Sequence, residues 1–390
     1  PNGGQIFVDG FTGGRLPPRA SIREIRINSN PFSAEYDRLG FGRIEILTRP
    51  GSDRFRGQVS FNFNDDALNA RNPFSKSPKR PPIQTRQYGG NFGGPIKKGK
   101  ASFFVDFDKR DVDDETLVFG EMLDANRNIV SFSQTVPVPS RRTSFSPRID
   151  FQINQNHTLV ARYNYTKTSR IAGVGQFSLP SRAYDTENSE QSIQFTETAI
   201  INKTIINETR FEFERNGNLS DADNSIPTLD VQDAFTGGGS QVGQSHSDTN
   251  DWELSNNTTL AHGPHSMKFG VRYRSVDITN FSPSNFGGTY TFFGGAIGPK
   301  VNVNGDAIGG SDVISSIERY RRTLLYLDQG RNPVQIGLLG GGASQFRLST
   351  GNPEAKVKQW DFGGFFQDDW KVRPNFTLSL GLRYENQANI

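Results

Sequence analysis

Polar and apolar residues alternate strictly along much of this chain. The clearest case is near the end: Phe376, Leu378, Leu380, Leu382 and Tyr384 share one parity, and Thr377, Ser379, Gly381 and Arg383 share the other. A period of two marks a strand with one apolar face. Residues 362–370 read as its hairpin partner, joined through Lys371-Val372-Arg373-Pro374-Asn375. The same alternation recurs at 55–63 and 101–108, and a glycine-rich strand lies between them at 86–96. Three more hairpins are predicted: 145–153 with 159–165, 192–201 with 205–215, and 252–260 with 267–273.

The face opposite the apolar one is charged. Thr209, Phe211 and Phe213 stand against Glu208, Arg210, Glu212 and Glu214, and Phe269, Val271 and Tyr273 against Lys268, Arg272 and Arg274. Such a face needs water, supplied by solvent or by a wide lumen, while the apolar face meets a core or lipid. Turns at one end of the hairpins are short. The connections at the other end are long, at about 109–142, 166–190, 216–249 and 276–357, and read as extracellular loops. That asymmetry belongs to outer-membrane barrels, as does the strand length of about 9–11 residues. Soluble sandwiches keep their loops near four to six residues. Tyr163, Tyr165, Trp252, Tyr273, Trp370 and Tyr384 are expected near strand ends, as membrane-interface aromatics. The last long connection holds a predicted helix capped by Asp312, with Val313, Ile317, Tyr320, Leu324 and Leu327 on one face. It is expected to fold against the loops, with a partner-binding or lipopolysaccharide-facing role as the sharper reading.

Composition narrows the classes. The 390 residues suffice for two ordinary domains or one large barrel. Mean hydropathy is −0.60 and no apolar run is long enough for a transmembrane helix, which leaves a barrel possible because its strands alternate. The absence of cysteine removes disulfides, thiolate nucleophiles and cysteine metal sites. A net charge of +3, spread along the chain, gives no argument for nucleic acid. The chain opens at Pro1 without a targeting signal and stops just after a strong strand, so both ends read as cut.

Residues 1–53 read differently. Residues 5–10 form a short strand closed by an Asp9-Gly10 turn, and 11–20 a loop. Ser21 with Glu24 fits a capping box, yet Ile25 and Ile27 alternate, so a turn feeding a strand is expected there. A strand at 43–49 follows a polar-aromatic loop. The unit is a small mixed α/β domain, too short to bury a full core alone. Arg49, Arg54 and Arg56 flank its junction with the strand ladder and are expected to pair with lumen carboxylates.

No catalytic constellation is found. His262 and His265 lie in a turn at a spacing that could seed a metal site, but no carboxylate is close in sequence, and a solvated turn is the plainer reading. Asp368-Asp369 matches a paired-carboxylate pattern but ends a strand, where a capped or salt-bridged rim position is the simpler account. Asp108, Asp111, Asp113, Asp114 and Glu115 lack the spacing of a calcium loop. Gly89-Gly90 and Gly93-Gly94 lack the Lys-Ser/Thr of a phosphate loop and suit close backbone approach. No cofactor and no metal is expected.

Residues 30–36, Asn-Pro-Phe-Ser-Ala-Glu-Tyr, are followed by Gly42-Arg43-Ile44-Glu45-Ile46-Leu47-Thr48-Arg49-Pro50-Gly51, then Phe55-Arg56-Gly57. Near the other end stand Phe366-Gln367-Asp368-Asp369-Trp370 and Gly381-Leu382-Arg383-Tyr384-Glu385. In this order they resemble a TonB-dependent outer-membrane receptor, and within that superfamily the large Oar-like proteins of acidobacterial type. The resemblance covers essentially the whole chain. It implies a mainly β fold: the C-terminal part of a small α/β plug domain (1–53), then the first half of a roughly 22-stranded antiparallel transmembrane β-barrel (54–390), counted here as about eleven strands. It implies a plug/barrel junction, with Glu35, Arg43, Glu45, Arg49, Arg54 and Arg56 as candidates. It also implies an outer-membrane location with the plug toward the periplasm, contact with lipid and lipopolysaccharide, and active uptake of a small ligand, oligosaccharide or peptide. Energy would come from TonB with ExbB and ExbD, through a segment outside this chain. An adhesin or structural barrel, a barrel enzyme and a soluble carbohydrate-binding β-domain are the rival classes.

Overall fold

The computed structural model of the protein describes residues 5–12, 16–17, 21–28, 33–36, 43–68 and 82–389. Asn30 to Phe32 and Gly42, which carry part of the family resemblance, lie outside them.

The first unit is a four-stranded sheet of β1 (Gln5–Val8), β2 (Phe11–Thr12), β3 (Ile22–Asn28) and β4 (Arg43–Thr48), in the order β2-β1-β4-β3. β1 and β4 run parallel; the other pairs are antiparallel. Phe7, Val8, Phe11 and Ile46 are buried in it. An α/β unit was expected. Among the described residues this part holds strands and turns but no α-helix, and the stretch after Ser21 is strand. Alternating Ile25 and Ile27 prevail over the capping-box pattern because β4 offers a pairing edge.

The rest is dominated by one antiparallel sheet. Its strands are β5 (Arg56–Asp65), β6 (Ile83–Lys97), β7 (Ala101–Leu123), β8 (Ile129–Pro137), β9 (Ser140–Gln152), β10 (His157–Ala172), β11 (Tyr184–Ile200) and β12 (Ile205–Asp221). Two short strands follow, β13 (Thr228–Val231) and β14 (Phe235–Gly238), before the sheet resumes with β15 (Ser245–His262) and β16 (His265–Phe281). The next excursion carries β17 (Thr289–Phe292), β18 (Ala296–Val301), β19 (Ala307–Ile314), helices α1 (Ser316–Asp328) and α2 (Pro333–Leu338), and β20 (Gln345–Arg347). β21 (Glu354–Arg373) and β22 (Phe376–Asn389) close the chain. Eleven strands pair in an unbroken path from β5 to β22, with β8 added on the upper part of β7.

The expected parity holds. Phe195, Phe269, Val271, Tyr273, Leu380 and Leu382 are exposed on the outer face, whereas Gln194, Glu212, Glu253 and Gln367 are buried on the inner one. A broad apolar exterior over a polar interior suits lipid outside and a lumen within. Glycines let the wall fold closely. An added Cβ at Gly94 would stand 2.1 Å from the ring of Phe55.

The four long connections are shorter than expected, because the strands run on. β7 has 23 residues, and 109–142 is filled by its upper part, by β8 and by the start of β9. Residues 166–190, 216–249 and 276–357 likewise begin and end in strand. Where both faces of a strand meet water, pairing continues although apolar alternation stops. The acidic run in β7 illustrates this: Asp113 pairs with Arg86 at 2.5 Å on β6 and with Arg141 on β9.

The excursions pack on one another. Val231, Ala234, Phe235, Phe292 and Ile317 form a small core, with Met122, Leu123, Leu179, Leu229 and Tyr320 against it. The helix starts later than expected. Ser315, not Asp312, is its N-cap, accepting from the Glu318 N–H, because Asp312 still belongs to β19. Of the expected apolar face, Ile317 is buried, but Val313 and Leu327 are 66% and 54% exposed. The buried side instead carries Arg322 and Tyr326. Arg322 donates to Glu318 at 2.7 Å and to the carbonyls of Pro299 and Leu339. Tyr326 Oη donates to the Gly305 carbonyl at 2.9 Å.

Candidate functional site

The small sheet sits against the inner face of the large one, and polar contacts hold the two together. The centre is the turn after β1. Asp9, in left-handed conformation (φ 50°), accepts from the Thr48 N–H at 2.8 Å and the Thr48 hydroxyl at 2.5 Å. Its Oδ2 also accepts from Arg162 Nη1 of β10 at 2.6 Å. Arg148 of β9 donates to Thr48 Oγ1 at 2.8 Å and to Asp150, which in turn accepts from the Gly51 N–H. Arg162 is buried, so its charge depends on Asp9.

Next to it, Gly10 takes a φ of 86°, and a Cβ there would stand 2.3 Å from Arg210 Cζ. Only glycine lets this turn lie under the Arg210 guanidinium. Thr12 donates to Glu253 Oε2 at 2.8 Å, and Arg272 donates to both, at 2.9 and 3.0 Å. On the other flank Gln367 Oε1 accepts from Ser33 Oγ at 2.7 Å and from the Ala34 N–H at 3.0 Å. Arg383 reaches the carbonyls of Ala34 and Glu35.

The junction candidates divide. Glu35 pairs with Lys268 of β16 at 3.4 Å, across the seam. Arg43 and Glu45 face each other at 3.8 Å within the small sheet, and Arg43 stacks over Phe7 at 3.7 Å. Both Glu35 and Arg43 border a void of about 50 Å³ at the seam. The expected pairing of Arg49, Arg54 and Arg56 with lumen carboxylates is not made among the described residues. Arg49 donates to the Ile22 carbonyl, and Arg54 and Arg56 are exposed, because the chain leaves the seam at Gly51. Asp9, Thr12, Ser33, Arg148, Arg162, Arg210 and Gln367 make seam contacts without standing among the junction candidates. Arg210 carries the charged inner parity, Asp9 the Asp-Gly turn, and Ser33 and Gln367 fall within the stretches that carry the family resemblance.

The aromatics are not near strand ends, Trp370 apart. Tyr163, Tyr165, Trp252, Tyr273 and Tyr384 lie in the middle of long strands. Tyr163, Ile193, Phe213 and Trp252 are successive cross-strand partners on β10, β11, β12 and β15, and Phe213 meets Trp252 at 4.3 Å. At the short-turn end His265 Nδ1 lies 2.7 Å from Asp368 and its ring stacks on Trp370, which gives the turn histidine and the paired carboxylate a common role at the rim.

The family model described as "Outer membrane beta barrel domain" matches residues 47–119 and 119–390. The TonB-dependent transporter Oar of Myxococcus xanthus is 22% identical, over 94% of this chain and 40% of that protein. Among solved structures, the outer membrane transporter YddB of Escherichia coli superposes with a TM-score of 0.57 at 10% identity, over 99% of this chain and 49% of that one. The siderophore receptor PirA of Acinetobacter baumannii gives 0.55 at 14% identity (100% and 49%), and the FrpB iron transporter of Neisseria meningitidis 0.56 at 15% (99% and 51%). The chain thus spans about half the length of the solved transporters it matches, and shares their fold over that half.

Proposed function

We propose, given that the chain belongs to the family of outer membrane beta barrel domains, that it is part of a TonB-dependent transporter and takes up a scarce ligand by energy-coupled plug movement. Residues 1–53 would be the C-terminal part of the plug and 54–390 the barrel wall. The observation that carries this reading is the Asp9–Arg162 contact at 2.6 Å, in which a separate small sheet is fixed to the inner wall by polar groups. Polar contacts hold a plug in place yet can be exchanged for water when it is pulled, unlike a continuous apolar core.

The short turns then face the periplasm and the packed excursions face outward. Counted from the short-turn ends, a span of about 9–11 residues puts Tyr165, Trp252, Tyr273 and Tyr384 near the outer lipid interface. The upper strands and α1 would stand beyond it, toward lipopolysaccharide. TonB, with ExbB and ExbD, would engage the whole protein elsewhere. The siderophore receptor and the iron transporter share this fold, and ligand identity is not carried by it.

The test is energised uptake by cells carrying the full-length protein, with and without TonB. Uptake lost without TonB is the expected result; equal uptake overturns the reading. An adhesin or structural barrel is the second reading, favoured by the separate core of the outer excursions. It predicts retained surface binding with no TonB-dependent uptake.

A further inference from the structure

The outer excursions do not stand as separate loops. β13 and β14 leave the wall between β12 and β15, and β17 and β20 between β16 and β21, yet the four make one sheet in the order β14-β13-β17-β20. Its central pair, β13 with β17, is parallel and joins two different excursions. The connection at 173–183, after β10, adds to the β14 edge. There the Leu179 N–H donates to the Thr236 carbonyl at 2.9 Å, and the Thr236 N–H to the Phe177 carbonyl at 2.7 Å. From the same connection Arg182 donates to Thr228 Oγ1 at 2.8 Å and to the Gly239 carbonyl.

This body reaches back to β7. In the wall β9, β10 and β11 lie between β7 and β12. Even so, Ala234, from the excursion after β12, lies against Gly120 of β7, which has the same parity as the inward, buried Asp106. The Glu121 N–H donates to the Ala234 carbonyl at 3.3 Å, and a Cβ on Gly120 would stand 2.1 Å from that oxygen. A segment that starts at β12 and ends on the inner side of β7 crosses the mouth that these strands enclose. The 173–183 connection takes the edge of β7 above β6: the Gln176 N–H donates to the Leu117 carbonyl and the Phe119 N–H to the Gln176 carbonyl, both at 2.8 Å. Arg127, in the turn after β7, donates to Asp328 at the end of α1 at 2.9 Å. A hairpin of two four-residue strands is marginal in water by itself. The cluster these pieces bury draws on all of them: Met122 and Leu123 come from β7, Leu179 from 173–183, Phe235 from β14 and Phe292 from β17. Tyr320 of α1 closes it, its ring edge-on to Phe235 at 5.6 Å and to Phe292 at 5.2 Å. Withdrawing one excursion uncovers apolar surface on the others.

We infer that the outer excursions are one cooperative cap over this mouth, which opens or holds as a unit, and not four loops that gate one by one. A partly opened cap loses contacts in every excursion, so a ligand seated against one of them biases the whole. The inference needs the wall and its excursions only, and does not depend on the transport reading.

The test is hydrogen exchange on the purified full-length protein in detergent, with one end of the cap disturbed and the other end read. Gly120→Val puts a branched side chain against the Ala234 carbonyl. Exchange at 228–231 and 289–292 is expected to rise about ten-fold or more, because overpacking a close contact destabilises what it holds. In the reverse direction, Phe292→Ala should raise exchange at 129–137. Exchange at 376–382, in the last wall strand, should not change in either variant. In a milder arm, Arg127→Cys and Asp328→Cys are joined by a short bis-maleimide, since these 390 residues hold no cysteine. The bridge should slow exchange in all four excursions. Changes confined to the residues beside each substitution or bridge overturn the inference, and the bridged protein decides it if Gly120→Val does not fold. TonB-independent uptake with cooperative exchange sinks only the transport reading; TonB-dependent uptake with local exchange sinks only the cap.

Discussion

Asp9 Oδ2 and Arg162 Nη1 stand 2.6 Å apart, although 153 residues separate them in the chain. The same carboxylate holds Thr48, so one side chain closes the small sheet and fastens it to the wall. Asp9→Ala leaves a buried arginine without its counter-charge, a loss of about 3–5 kcal/mol. Limited proteolysis should then cleave the small sheet faster while the barrel still shows heat-modifiable migration. Adding Arg162→Met should restore much of the protection, since no buried charge remains. Unchanged cleavage in the single variant would contradict the role.

Gly10→Ala tests the turn beside it. The φ of 86° alone costs a side chain about 1–2 kcal/mol, and the new Cβ meets the Arg210 guanidinium. Hydrogen exchange in β1 and β2 should rise, with exchange in β9 and β10 little changed.

Gln367→Leu removes the acceptor for both Ser33 Oγ and the Ala34 N–H. Each buried donor left unsatisfied costs about 1–3 kcal/mol. A fluorophore attached beside Ala34 should become mobile. Full retention of its anisotropy would argue against this latch.

Phe269 is exposed on the outer face of β16, four positions after His265. Phe269→Arg should cost about 2–4 kcal/mol in a bilayer, the penalty near the midplane. Its neighbour on the inner face, Lys268→Gln, should cost far less in the same lipid refolding assay.

Acid should loosen the outer helix. Burial alone raises the Glu318 pKa, but the hydrogen bonds from Arg321 and Arg322 more than reverse this, and it ends below its ordinary value. A depressed folded pKa gives stability that is present above the unfolded value and is lost as pH falls through the folded one. Near-ultraviolet circular dichroism from Tyr320 and Tyr326 should therefore weaken below about pH 4, and a Glu318→Gln variant should show the weaker signal already at neutral pH.

The strand ladder, its two faces and its short turns were all legible in residue parity, because a strand's side chains alternate whatever lies beside it. Parity also found eleven wall strands and put Glu212, Glu214, Arg210 and Arg272 on the inner face. It did not find the upper parts of β7, β10 and β15, where water on both faces removes any need to alternate. It misplaced the cap of α1, since Asp312 pairs in β19 only once Ile297 and Gly298 are beside it. Register and domain contact lay beyond it altogether. Whether Glu212 meets an arginine or Glu253 depends on a strand 41 residues away, and whether Asp9 only ends a turn or also fastens the small sheet depends on β10. Local alternation determined which residues face the lumen; only the tertiary structure decided which of them meet, because pairing energies act between neighbours in space and leave no period in the chain.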